Sequence, residues 1–162
     1  MPVVILNPAA VFGPGDVKPT TGELLLRVAK GQFPFYFRAT MNVVDGRDVA
    51  AAHIAAAERG PWCVGQRHIL GGHNLTLKDG LTIAARAAGV APPRWEIPRK
   101  VVDTLIGASD WLRLPLPDNI KTLRLWQPLN SDNAQRELGL SPRQFEETAR
   151  DTVMWFRENH YL

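Results

Sequence analysis

The apolar positions of the chain fall into distinct rhythms, and each rhythm predicts an element. Directly after Met1, the residues Pro2, Val3, Val4, Ile5 and Leu6 run without alternation, which predicts a strand buried on both faces within a parallel sheet. A second strand is predicted at Arg67–Leu70, stopped by Gly71 and Gly72. Leu24, Leu25 and Val28 recur at helical spacing and predict a helix over 20–29, with Gly31 as its stop. Residues 33–44 read as extended. The alanine-rich stretch after Asp48 predicts a helix lying close on a sheet, with Asp48 as N-cap and Gly60 as terminator. Thr76-Leu77-Lys78-Asp79 resembles a capping box and opens a helix to residue 88, ended by Gly89. A short edge strand is predicted at 94–98, followed by helices over 100–112 and 119–126 that Pro115 and Pro117 separate. The last helix has Ser141 as N-cap, Pro142 at its first position and an apolar face of Phe145, Ala149, Val153 and Phe156, with Glu146 placed to pair with Arg150.

Between the first strand and the first helix, Pro8, Gly13, Pro14 and Gly15 predict a shaped loop over 7–16 without regular structure. Ligands of open parallel sheets bind beyond the carboxyl ends of strands, so this loop is the first candidate site. Pro8 holds Asn7 extended, and the Asn7 amide can donate to a phosphate or sugar oxygen and accept from a hydroxyl. The same residues equally suit a tight connection. Asp45 and Asp48 stand at a helix start, where capping accounts for them better than paired acid–base work. His53 reads as a packed or partly exposed helical residue, and His68 and His73 lack partners at metal-ligand spacing.

Composition narrows the class. The 162 residues are 45% hydrophobic and 22% charged, enough to bury a core. The net charge of +3 is spread evenly along the chain, which argues against a nucleic-acid partner. Cys63 is the only cysteine, so an internal disulfide and a multi-cysteine metal site are excluded, and a reducing, cytoplasmic setting is expected. No apolar run reaches the roughly 20 residues of a membrane span, and no signal peptide is recognisable. The 13 glycines nowhere take the spacing of a dinucleotide phosphate loop. No Tyr-x-x-x-Lys and no Gly-x-Ser-x-Gly occur either, so no catalytic residue is assigned.

Several motifs in order nevertheless carry a resemblance. Val3-Val4-Ile5-Leu6-Asn7-Pro8, Val11-Phe12-Gly13-Pro14-Gly15-Asp16, Val44-Asp45-Gly46-Arg47-Asp48-Val49-Ala50 and Gly65-Gln66-Arg67-His68-Ile69-Leu70-Gly71-Gly72 are similar to the extended short-chain dehydrogenase/reductase superfamily. Asn74-Leu75-Thr76-Leu77, Ala134-Gln135-Arg136-Glu137-Leu138-Gly139 and Trp155-Phe156 extend the likeness to the end of the chain. Within the superfamily the chain resembles NAD(P)-dependent epimerase/dehydratase proteins similar to dihydroflavonol reductases and hopanoid-associated sugar epimerases. The likeness covers the family's C-terminal half. The glycine-rich loop and the Tyr-x-x-x-Lys pair belong to the other half. Two positions depart from the pattern: Gly46 replaces a valine, and Asn133 stands where many members have lysine.

The resemblance implies an α/β fold: the C-terminal part of a Rossmann-type parallel sheet with a small mixed substrate-binding domain. Residues 1–73 would supply the sheet portion, interrupted by a substrate-domain segment at about 33–44. Residues 74–130 would be mainly substrate-binding domain, and 131–162 a C-terminal helical segment. Pro8, Ala9, Ala10 and Val11 are expected to border the nicotinamide of NAD or NADP, bound only when an N-terminal Rossmann half completes the site. Asn7, Lys18, Thr20, Thr21, Met41 and Asn42 are expected to face a small-molecule substrate, and Asp48 to be structural. Such a chain would be inert alone and would pair with the missing half or with itself through an exposed strand edge. The alternative from a different class is a non-catalytic binding or regulatory module of the same descent.

Overall fold

The computed structural model describes residues 3–59, 64–111 and 127–162. Seven strands and six helices follow the order β1 (Ile5–Pro8), β2 (Ala10–Phe12), α1 (Glu23–Ala29), β3 (Phe35–Tyr36), β4 (Thr40–Asp45), α2 (Gly46–Arg59), β5 (Arg67–Leu70), β6 (His73–Thr76), α3 (Leu77–Ala88), β7 (Trp95–Glu96), α4 (Arg99–Trp111), α5 (Asp132–Leu138) and α6 (Phe145–Glu158) among the described residues. The strands form three small sheets: parallel β1–β5, mixed β2–β4–β6 and parallel β3–β7. The helix expected at 119–126 lies outside the described residues.

Two apolar cores hold these elements. The larger unites Phe12, Leu25, Val28, Met41, Leu81 and Phe156 with residues of α3, α4 and α6. Each fully buried side chain of this kind contributes roughly 1.5–3 kcal/mol. The smaller core packs Ala52 and Ala56 of α2 against Leu70 of β5 and against Ala134 and Leu138 of α5. Alanines at these positions let α2 lie close to its neighbours, as the sequence predicts.

The run at 3–6 is not buried on both faces. Leu6 and Pro8 pair with His68 and Leu70 on the face that α2 and α5 cover, whereas Ile5 and Asn7 pair with Arg67 and Ile69 on an open face. Val3 and Ile5 consequently stay 46% and 43% exposed. An unbroken apolar run signals two-sided burial, but among the described residues only one layer covers it.

The other corrections are local. The segment expected to be pure loop contains β2, because Ala10 to Phe12 find β4 as a parallel partner despite the flanking prolines and glycines. Residues after Gly72 form β6, antiparallel to β4. Gly72 is needed there, since a Cβ would collide with the Val43 carbonyl oxygen. Helix α1 begins at Glu23 and not at residue 20, and α5 was not foreseen as an element from periodicity. Asp48 lies inside α2 and does not cap it; Asp45 caps it by accepting the Arg47 N–H at 2.8 Å. Helix α6 starts at Phe145, because residues 141–144 stay outside the helix while Asp48 holds the Arg143 N–H. Arg150 meets Asp151 and not Glu146. Thr76 caps α3: its hydroxyl oxygen accepts the Asp79 N–H at 3.1 Å and donates to the Asp79 carboxylate at 2.6 Å, so Asp79 binds the Thr76 hydroxyl where a full capping box would bind its N–H, and Gly89 ends α3 with φ 74°.

Candidate functional site

The loop after β2 is shaped by glycine and then pinned at two points. Gly15 takes φ 89°, a left-handed value that disfavours any side chain with a Cβ. The Asp16 carboxylate accepts the Gly22 N–H at 3.2 Å, and the Tyr161 hydroxyl donates to the Val17 carbonyl at 2.7 Å. The C-terminal residues thereby hold the loop. Behind it opens a cavity of about 420 Å³ lined by Ala9, Val11, the Gly13-to-Asp16 turn, Thr20 and Thr21. Thus two of the residues expected near a cofactor and two expected near a substrate meet in one space.

The remaining expected residues lie elsewhere. Ala10 is half-buried and paired with Val43, while Asn7 and Pro8 are exposed at the end of β1. Lys18 is exposed and does not line the cavity. Met41 is only 1% exposed within the larger core. Asn42 is buried, with its carbonyl oxygen accepting the Gly72 N–H at 3.0 Å and its amide donating to Asn74 at 2.8 Å. Asn74 in turn bonds the backbone of Leu129 in both directions. Asn42 therefore anchors β4 to β6, and through Asn74 to residue 129.

The base of the loop is held electrostatically. Asp45, paired in register with Phe12, accepts two side-chain bonds from Arg47 at 2.9 and 2.7 Å and the Thr148 hydroxyl at 2.8 Å. Burial opposes ionisation of Asp45, but the Arg47 side chain, the Arg47 N–H and Thr148 outweigh it and hold the carboxyl below its usual range. Arg47 reaches on to Asp151 at 2.9 Å, and its own pKa is raised, first by the bond to Asp45.

A second cavity of about 600 Å³, not foreseen in the sequence, lies against β3, β7 and the start of β4. Tyr36, Arg38, Thr40, Lys78, Glu96 and Arg99 give it an aromatic ring, hydroxyls and charge. The Glu96 carboxylate accepts from Arg38 at 2.8 Å and from the Tyr36 hydroxyl at 3.4 Å, and Lys78 stands 5.4 Å from the Tyr36 ring centroid. Glu96 and Arg38 are 58 residues apart, so no local pattern announces the pair. The β2–β4 register places Thr40 three residues, about 10 Å, before the Ala10–Val43 pair. Among the described residues no group of three His, Cys, Asp or Glu side chains could hold a metal ion, and no helix is long and apolar enough to cross a membrane.

Fold and cavities together define a Rossmann-type α/β unit with open space at its strand ends. No family model matches the chain. It is 32% identical over 99% of its length to a Synechocystis sp. protein provisionally named dihydroflavonol 4-reductase, covering 50% of that protein. It is 30% identical over 96% of its length to sterol demethylase protein B of Methylococcus capsulatus, again covering 50%. A solved nucleoside-diphosphate-sugar epimerase from Pseudomonas aeruginosa superposes on the whole chain with TM-score 0.84 and 29% identity, over 50% of its own length. At 14% identity and TM-score 0.69, a UDP-glucuronic acid 4-epimerase from Bacillus cereus in complex with NAD shares the fold over 99% of this chain and 46% of its own. The chain matches the C-terminal half of these reductase- and epimerase-named proteins, which is consistent with its resemblance to the extended short-chain dehydrogenase/reductase superfamily. It spans about half the length of the curated relatives.

Proposed function

We propose that this chain forms the substrate-facing half of a cytoplasmic NAD(P)-dependent reductase or epimerase. Its substrate is a sugar nucleotide or a dihydroflavonol-like compound, reacting at a carbinol or carbonyl carbon. The reading is carried by one observation: Ala9, Val11, Thr20 and Thr21 converge on a single cavity at the carboxyl end of β1. In this reading the nicotinamide lies against Ala9 and Val11, with Pro8 and Ala10 holding the backbone on either side of Ala9. When bound, a nicotinamide cofactor exchanges hydride with the substrate carbon. The chain's own part is to bind and orient. In this reading Thr20 and Thr21 offer hydroxyls to the substrate, the exposed Asn7 and Lys18 contact it from outside the cavity lining, and Met41 and Asn42 hold β4 in place through the core and the bonds to Gly72 and Asn74.

Completion by an N-terminal α/β half belongs to the same reading, and the chain alone does not turn over. Binding is tested by thermal shift and by ligand-observed NMR with NAD, NADP, UDP-glucose and a dihydroflavonol. Measurements use the chain alone and the chain joined to an N-terminal half. We expect substrate to bind the joined protein and Thr21→Val to weaken it several-fold, with hydride transfer absent from the chain alone. Hydride transfer by the 162-residue chain itself overturns the claim of inertness. Substrate binding indifferent to NAD and NADP in the joined protein assigns a binding module in place of an enzyme.

A further inference from the structure

We infer that Tyr161 is a positioning residue of the candidate site: through the Val17 carbonyl, its hydroxyl keeps in place the loop that brings Thr20 and Thr21 to the cavity. The inference deepens the proposed function and rests on it for what the cavity binds.

The end of α6 aims this ring. His160 takes φ 63°, the left-handed value that closes many helices and that a residue with a Cβ adopts at some cost. The His160 N–H donates to the Arg157 carbonyl at 3.3 Å and the Tyr161 N–H to the Phe156 carbonyl at 2.9 Å, so the chain turns back on the helix it has just left. Tyr161 lands on two aromatic residues of that helix, its ring centroid 5.5 Å from those of Trp155 and Phe156. Packing fixes the ring, and its hydroxyl reaches the Val17 carbonyl at 2.7 Å.

The loop has little else to tie it down. Its other hydrogen bonds are local: Val17 N–H to the Gly15 carbonyl at 2.9 Å, Gly22 N–H to Asp16 at 3.2 Å, and Leu24 N–H to the Thr21 carbonyl at 3.2 Å. Among the described residues, the bond from Tyr161 is the only one that joins 14–21 to a distant part of the chain. The Val17 side chain is 66% exposed, so apolar burial does not anchor this point instead. At its far end the loop rests on α6 as well, since a Cβ at Gly22 would meet the Asp16 carboxylate and the Phe156 ring. Thr20 and Thr21 lie between these two fastenings and line the cavity. A hydroxyl is useful to a ligand only within about 2.5–3.0 Å of its partner, so a loop freed at Val17 loses contacts it still has the groups to make.

The test compares Tyr161→Phe, which keeps the ring and removes the donor, with Tyr161→Ala, which removes both. Amide hydrogen exchange in the full chain reports the loop, and urea unfolding reports the fold. Titration of the chain joined to an N-terminal half with UDP-glucose and with a dihydroflavonol reports the site. Tyr161→Phe should speed exchange at Val17 and Gly22 by about fivefold or more while the urea midpoint stays near that of the parent. It should weaken whichever probe binds by roughly three- to tenfold, the worth of one hydrogen bond. An N–H donor restored by p-aminophenylalanine at position 161 should recover most of that binding. Because the hydroxyl acts through the loop threonines, Tyr161→Phe should weaken binding less in a Thr21→Val background than in the parent. Met154→Ala, at an exposed position of α6, should alter none of these readouts.

A ring that matters only for packing gives a different pattern, with Tyr161→Phe silent and Tyr161→Ala unfolding. That pattern, a loosened loop with binding unchanged, or equal weakening in both backgrounds each overturns the inference. If neither probe binds the joined protein while the exchange pattern appears, the functional reading fails and the hold of Tyr161 on the loop stands. Probe binding that Tyr161→Phe leaves untouched does the reverse.

Discussion

Asp48 in α2 and Arg143 before α6, 95 residues apart in sequence, are joined twice: the carboxylate accepts the Arg143 backbone N–H at 2.8 Å and also the guanidinium. Asp48 is buried and Arg143 about one-third exposed, so the pair closes the gap between two helices over a partly dry space. Removing either partner strands the other. Asp48→Ala should cost about 2–4 kcal/mol, since it orphans a backbone N–H and an arginine together. Arg143→Ala keeps the N–H bond and should cost less, roughly 1–3 kcal/mol. Urea titrations of both variants check the order, and equal losses would show that the backbone bond contributes nothing.

Stability should fall in acid partly through Asp45. Its folded-state pKa lies below the ordinary 3.8, so its contribution is complete above that value and is lost as pH drops through the lower folded one. Asp45→Asn removes this contribution. The variant should be less stable near neutrality and show a shallower decline of stability below about pH 4. Denaturation midpoints at a series of pH values test the slope, which must differ from that of the parent chain.

His68 presents the opposite case. It is 1% exposed on β5, and neither ring nitrogen has a hydrogen-bond partner among the described residues. Glu137 on α5 approaches Nε2 only to 3.8 Å. A buried polar ring without partners forfeits solvation for nothing, so an apolar ring of similar shape should do as well or better. His68→Phe should leave stability unchanged or raise it by up to ~1 kcal/mol. A loss above ~2 kcal/mol in thermal or urea unfolding would mean that the imidazole is satisfied after all.

What could be read from the sequence depended on whether its cause was local. The Thr76–Asp79 cap and the Gly89 stop were legible because both are settled within one turn. Strands β2 and β6 were not, because their partner is β4, and a three-residue strand next to Gly13 and Pro14 has no pattern of its own. Asp48 was assigned to capping by its neighbours in sequence, yet Arg143 claims it from 95 residues away. The site divides likewise. Ala9, Val11, Thr20 and Thr21 were legible only through the family resemblance and line one cavity within a single stretch of chain, whereas the Tyr36–Glu96–Arg38 cluster arises only where β3 meets β7.

The β4–β6 junction at Val43 and Gly72 gives the most demanding prediction, because it separates steric packing from polar anchoring. Gly72 has no room for a Cβ against the Val43 carbonyl, and its N–H is held by Asn42. Gly72→Ala must push the two strands apart. Overpacking of this kind costs about 1–3 kcal/mol, and the displaced Asn42 loses a bond worth ~1 kcal/mol more. Asn42→Ser shortens the side chain without crowding the backbone, so it should cost only the hydrogen bonds, about 1–2 kcal/mol. Comparison of the two by urea unfolding therefore asks whether steric fit or polar anchoring dominates. If Asn42→Ser destabilises more than Gly72→Ala, the amide network to Asn74 and Leu129 carries this junction, and the close strand approach is secondary.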